Sequence, residues 1–177
     1  INIIPSETIK SIIYEMPIAS AQVKSSLLFA GLGQEKETKI LEKSVTRDHT
    51  ERMFEYFGAN ISYTDSEVTL YKTDKFLARD IEIPGDFSSA AFFIVAALIS
   101  KDSKILLKNV GLNPSRIALL KKLKEMDGDI EITNKKNLGK EPVGDILIKS
   151  SYLKACEVSY NDVSNLIDEL TIIFMSL

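Results

Sequence analysis

A mixed α/β fold made of repeated βαβαββ units is what this 177-residue sequence predicts, and three observations carry that reading. The segment MPIASAQVKSSLLFAGL at residues 16–32 nearly recurs as IPGDFSSAAFFIVAALI at residues 83–99. Each copy opens on an apolar residue and a proline, passes through Ser and Ala, and runs on as an apolar helix. Downstream of each copy the same order follows: a short strand, an amphipathic helix ending at glycine, and a hairpin. Gly58 and Gly128, about seventy residues apart, mark corresponding helix ends in that register. Self-similarity at a fixed period is the signature of a repeated supersecondary unit.

Element by element, residues 8–14 are short and β-rich, and the helix at 20–32 is stopped by Gly31 and Gly33. Residues 39–41 read as a strand. In the segment TRDHTE at 46–51, Asp48 stands at an N-cap with Glu51 three residues on, and the helix then carries Met53, Phe54 and Phe57 to Gly58. Residues 61–63 and 68–71 form a hairpin around Thr64-Asp65-Ser66-Glu67. The second unit repeats this with a strand at 81–83, a helix at 88–99 and a strand at 105–107. A further helix starts from Pro114, with Leu119, Leu120, Leu123 and Met126 inward, and ends at Gly128. The last pair of strands, 129–133 and 145–149, is joined by a polar connection at 134–142 expected to be mobile. A third unit begins at 156–158 and breaks off in its first helix.

Composition narrows the function. With 45% hydrophobic residues a core is assured, and 22 basic against 25 acidic residues give a net charge of −3 without a clustered basic face. That excludes a nucleic-acid footprint. Cys156 is the only cysteine, so no intrachain disulfide forms; it reads as a small core residue in a reducing compartment. No apolar run is long enough to span a membrane and no secretory leader is visible, which points to the cytoplasm. The chain starts on Ile1 and stops at Leu177 inside an apolar helix, as a piece of a longer protein would.

Candidate chemistry gathers at helix starts. Ser20 and Gln22 offer a hydroxyl and an amide beside free helix N–H groups, which suits a phosphate or carboxylate, although an ordinary N-cap needs no ligand. Ser88 and Ser89 repeat the pattern, with Phe92 and Phe93 crowding the turn, so capping is the reading there. Arg47 can pair with an anion bidentately or with Glu51. The lone histidine, His49, rules out a histidine metal cluster and reads as a solvated first-turn residue. Asp168 and Glu169 are adjacent acids, available either as favourable charge at a helix start or as a base. Asn113-Pro-Ser-Arg116 reads as a capped turn. No phosphate-binding glycine loop and no CxxC occur.

Five ordered motifs together carry a resemblance: SAQVKSSLLFAGL (20–32), TRDHTERM (46–53), PGDFSSAAFF (84–93), VGLNPSR (110–116) and LIDE (166–169). In order and spacing they resemble the 5-enolpyruvylshikimate-3-phosphate synthase family. Departures are Thr46 for the usual Ser, Phe29 in a leucine run, and Thr171 where proline commonly follows the acid pair. The resemblance implies two lobes of three βαβαββ units each, arranged as an inside-out barrel, of which this chain is a middle portion. Residues 1–83 would belong to the first lobe and 84–177 to the second. It implies transfer of the enolpyruvyl group of phosphoenolpyruvate to the 5-hydroxyl of shikimate 3-phosphate, with release of phosphate, in a monomeric enzyme with neither metal nor cofactor. Ser20, Ala21 and Gln22 would bind the 3-phosphate, with Gln22 also near phosphoenolpyruvate. Arg47 would lie on a phosphate side and Asp168 would accept the proton. The family's other charged ligands would lie before Ile1 and after Leu177, so the segment alone would be inactive. UDP-N-acetylglucosamine enolpyruvyl transferase shares the donor but lacks the SAQVKS and RDHTE pair. A non-catalytic repeat domain would leave the Ser-Gln and Asp corners without a common ligand.

Overall fold

The computed structural model describes residues 10–158, 166 and 169–174. By internal packing the chain divides into two compact units, Ile1–Asp80 and Ile81–Leu177.

The first unit runs β1 (Ile13–Glu15), α1 (Ala21–Gly31), β2 (Thr38–Leu41), α2 (His49–Tyr56), β3 (Ile61–Tyr63) and β4 (Glu67–Leu70). Its sheet has the order β1-β2-β4-β3, with β1 parallel to β2 and the other pairs antiparallel. The strand predicted from residue 8 is found from Ile13, and residues 8 and 9 lie outside the described set. Met16, Leu28, Ile40, Phe54, Ala59, Val68 and Leu70 form the core of this unit. In α2 the inward stripe is Glu51 and Phe54, whereas Met53, expected inward, is exposed. Gly58 ends α2 with φ +83, a left-handed conformation that an L side chain disfavours.

The second unit runs α3 (Phe87–Ile99), β5 (Lys104–Gly111), α4 (Ala118–Glu125), β6 (Asp129–Leu138), β7 (Glu141–Lys149) and α5 (Leu170–Phe174). Its sheet order is β5-β7-β6, all antiparallel. The strand expected at 81–83 is absent. The ladder shrinks to one parallel bridge between Gly85 and Val110, and Ile83 stands exposed. Counting that bridge, the order and directions match those of the first unit, so the predicted repeat is present with its leading strand reduced to a single residue. Residues 156–158, expected to open a third unit, form no strand, although Cys156 and Val158 pack on the core of the second unit.

The connection expected to be mobile is instead strand. β6 and β7 continue to Leu138 and Glu141 around a tight turn at Gly139, φ +61. Both outer strands bulge against β7, β5 between Leu107 and Val110 and β6 between Thr133 and Lys136. At the bulges Asn109 (φ 53) and Asn134 (φ 50) take left-handed backbone, and Asp145 on β7 serves both. Its Oδ1 accepts from the Asn109 N–H at 2.8 Å and its Oδ2 from Asn134 Nδ2 at 2.8 Å. These bonds hold the Asp145 carboxyl below the usual range. α4 begins at Ala118, not Pro114, because residues 114–116 form a turn capped by Asn113. At the far end of α4, Asp127 (φ 66) takes the left-handed position, and a Cβ on Gly128 would meet the Leu123 carbonyl oxygen at 2.7 Å.

Candidate functional site

Ser20 occupies the N-cap of α1 with extended backbone (φ −151, ψ 113), and its Oγ accepts from the Val23 N–H at 3.3 Å. It also donates to Gln22 Oε1 at 3.3 Å, so hydroxyl and amide lie together over the helix start. The N–H groups of Ala21 and Gln22 precede the first possible intrahelical acceptor and face outward beside the positive end of the helix dipole. Capping and anion binding are compatible here, because the cap uses one donor and leaves two.

Arg47 lies in the same unit, exposed on the loop between β2 and α2, and has no ion-pair partner among the described residues. Its expected alternative partner, Glu51, is engaged elsewhere. Glu51 does not close a capping box with Asp48 either. Asp48 stands at the N-cap of α2 without a side-chain cap bond and pairs instead with Arg52, at 2.8 Å to Nε and 2.7 Å to Nη2. Glu51 is buried and meets Lys24 of α1, Nζ to Oε1 2.6 Å. The same ammonium meets Glu42 Oε1 at 2.8 Å, and Glu42 Oε2 accepts from Thr46 Oγ1 at 2.5 Å. Burial raises the Glu51 carboxyl above its ordinary value, against the pull of Lys24. Ser25 and Thr50 add a second tie between the helices, at 2.7 Å between hydroxyls. His49 is exposed at the first position of α2.

The second unit has a polar corner at the start of α3. Asp86, not a serine, is the N-cap: its Oδ2 accepts from the N–H and the Oγ of Ser89, both at 2.8 Å. Burial opposes ionisation of Asp86, but these bonds and the nearby Arg116 outweigh it and lower its pKa. Ser88 turns to a different task, accepting from Arg116 Nη2 at 2.5 Å and donating to Glu169 Oε1 at 2.7 Å. Phe92 and Phe93, expected to crowd this turn, are exposed. Arg116 leaves a turn built as expected, with Asn113 Oδ1 accepting from Ser115 N–H and Oγ at 2.9 and 2.6 Å. Glu169 is buried. Its neighbour Asp168, the predicted proton acceptor, lies outside the described residues.

Two networks were not anticipated from the residue pattern, Lys24–Glu42–Glu51 and Arg116–Ser88–Glu169. The first had a signal: Lys24 shares a helix face with Leu28 and Gly31, and Glu51 shares one with Phe54. A charge on an apolar face implies a buried partner. The second joins residues far apart in sequence and had none. Among the described residues no three His, Cys, Asp or Glu side chains gather as a metal site, and no helix is long and apolar enough to cross a membrane.

A family model for EPSP synthase (3-phosphoshikimate 1-carboxyvinyltransferase) matches residues 1–177. This chain belongs to that family. A 3-phosphoshikimate 1-carboxyvinyltransferase of Petrotoga mobilis is 49% identical over 174 residues, which are 98% of this chain and 40% of the relative. One from Endomicrobium trichonymphae is 45% identical over 164 residues, 93% of this chain and 38% of the relative. Among solved structures, an EPSP synthase from Acinetobacter baumannii superposes with a TM-score of 0.89 at 41% identity, covering 94% of this chain and 38% of that one. The mixed α/β fold is therefore that of EPSP synthases, an inside-out α/β barrel. The chain spans about 40% of the length of the curated relatives it matches.

Proposed function

We propose that this segment supplies the shikimate-3-phosphate corner and the proton-accepting acid of an enolpyruvyl transfer site in a longer protein. The observation that carries the reading is the start of α1, where Ser20, the first-turn N–H groups of Ala21 and Gln22, and an exposed Arg47 on the neighbouring loop lie in one compact unit. An anion there meets backbone donors, a hydroxyl and a guanidinium without any burial of uncompensated charge.

The chemistry follows from those roles. Ser20, the Ala21 and Gln22 amides and Arg47 hold the 3-phosphate, which orients the ring, and Gln22 also lies near phosphoenolpyruvate. Asp168 takes the proton of the 5-hydroxyl as its oxygen bonds to C2 of phosphoenolpyruvate, while C3 gains a proton. The resulting tetrahedral adduct loses a C3 proton and expels phosphate through cleavage of its C–O bond, leaving the enol ether. Residues 1–83 belong to one lobe and 84–177 to the second, a division supported by the separate packing on either side of Asp80. The whole enzyme is a cytoplasmic monomer acting on two small anions, with no nucleic-acid or membrane partner.

A chimera tests the reading. Residues 1–177 replace the aligned stretch of the Petrotoga mobilis relative, and phosphate release is assayed with phosphoenolpyruvate and shikimate 3-phosphate. Turnover that falls about a hundredfold or more in Asp168→Asn is the expected result. A folded chimera with no turnover, or full activity in Asp168→Asn, overturns it.

A further inference from the structure

We propose that Lys24 is a positioning residue of the anion site, a buried clamp that sets Arg47 against the start of α1 through Glu42 and Glu51. The proposal rests on the substrate reading above for the identity of the anion, and on geometry alone for the clamp.

Both flanks of Arg47 trace to the Lys24 ammonium. On one side Thr46 donates to Glu42, whose other carboxylate oxygen meets Lys24 Nζ at 2.8 Å. On the other side Asp48 leads into α2, whose Glu51 meets the same nitrogen at 2.6 Å. Lys24 itself closes the first turn of α1, its N–H donating to the Ser20 carbonyl at 3.0 Å. The Lys24 backbone therefore stands one helical turn from the Ser20 corner, and its ammonium holds, at two points, the segment that carries Arg47. The Lys24, Glu42 and Glu51 side chains are only 2%, 2% and 1% exposed, so Lys24 cannot itself reach a ligand in solvent.

Stability does not account for the arrangement. Two acids face one base, and Glu51 Oε2 is buried without a hydrogen-bond partner. Well-packed apolar residues at such sites often match or exceed the stability of a buried ion cluster. What a cluster adds is directional: charge-assisted bonds fix three backbone segments relative to one atom. A guanidinium on an exposed loop needs that, since a misplacement of about 1 Å at a binding group weakens recognition sharply.

The test uses the 177-residue chain labelled with 15N. Shikimate 3-phosphate and inorganic phosphate are titrated to millimolar excess, because the segment alone binds weakly, while the Ser20, Ala21 and Gln22 amides and the Arg47 Nε–H are followed by NMR, and hydrogen exchange is measured across residues 43–48. Lys24→Met strands two buried acids and can unfold the first unit, so Lys24→Met/Glu42→Gln/Glu51→Leu is made beside it to keep the volume and remove the charges. In the triple variant the Ser20–Gln22 amides should still respond, the Arg47 signal should not, affinity should fall about tenfold, and residues 43–48 should exchange faster. Unchanged exchange and a retained Arg47 response overturn the clamp. If the unsubstituted chain shows no response at Ser20–Gln22 but the triple variant exchanges faster at 43–48, the substrate reading fails and the clamp stands.

Discussion

Tyr63 shows how one side chain reports on its unit. Its hydroxyl donates to Glu55 Oε2 at 2.9 Å, and burial, aided by that carboxylate, pushes its pKa up to about 12. A phenol whose folded pKa is raised stabilises the fold below its unfolded value, near 10, and that contribution is lost as pH rises through about 12. An ultraviolet titration should therefore contain a step near pH 12 that is absent in Tyr63→Phe. If that step persists in the variant, the assignment is wrong. Single residues divide sharply in how far the sequence discloses them. Ser20 at the N-cap and the Asn113 turn were legible because capping is local chemistry. Ser88 was not, because its partners Arg116 and Glu169 are 28 and 81 residues away and only tertiary folding unites them.

Whole elements were legible where periodicity and punctuation agreed. Leu119, Leu120, Leu123 and Met126 are buried along α4 as their spacing requires, and Gly58 ends α2. The strand at 81–83 failed because apolar alternation supplies a side-chain pattern, not a neighbour, and only Gly85 finds one. The lysine- and asparagine-rich stretch after Thr133 reads as a loop by composition, yet pairing with β7 makes it strand. Asp145 ties both bulged strands to β7 there. Its carboxyl is held low first by the Asn134 side chain and then by the Asn109 N–H, so its contribution is present above its ordinary pKa and lost as pH falls through the lowered one. Asp145→Ala should lower the melting temperature at neutral pH, and the gap to the unsubstituted chain should close in strong acid. An equal gap at both pH values would show that the bulges are held by something else.

At the scale of the molecule, the chain holds one proposed phosphate corner in its first unit and its acid pair in its second. It spans about 40% of its relatives' length. On the proposed reading, the cations that would neutralise both substrate phosphates lie in the remaining sequence of the family. Each missing charge-assisted contact costs roughly 1.5–3 kcal/mol, so several together weaken binding by orders of magnitude. Calorimetry on the 177-residue chain should find no micromolar binding of shikimate 3-phosphate, and an assay with both substrates no phosphate release. Micromolar affinity would mean that the essential charges lie within the segment. The strand order has a consequence for synthesis on the ribosome. In both sheets the last strand to be made is an interior one, β4 between β2 and β3, and β7 between β5 and β6. Until Glu67 emerges, β2 has only a three-residue parallel partner, and β3 has none among the described strands. A nascent chain halted just before either central strand therefore carries finished helices over an unbuilt sheet, with open edges for a chaperone or a neighbouring chain to capture.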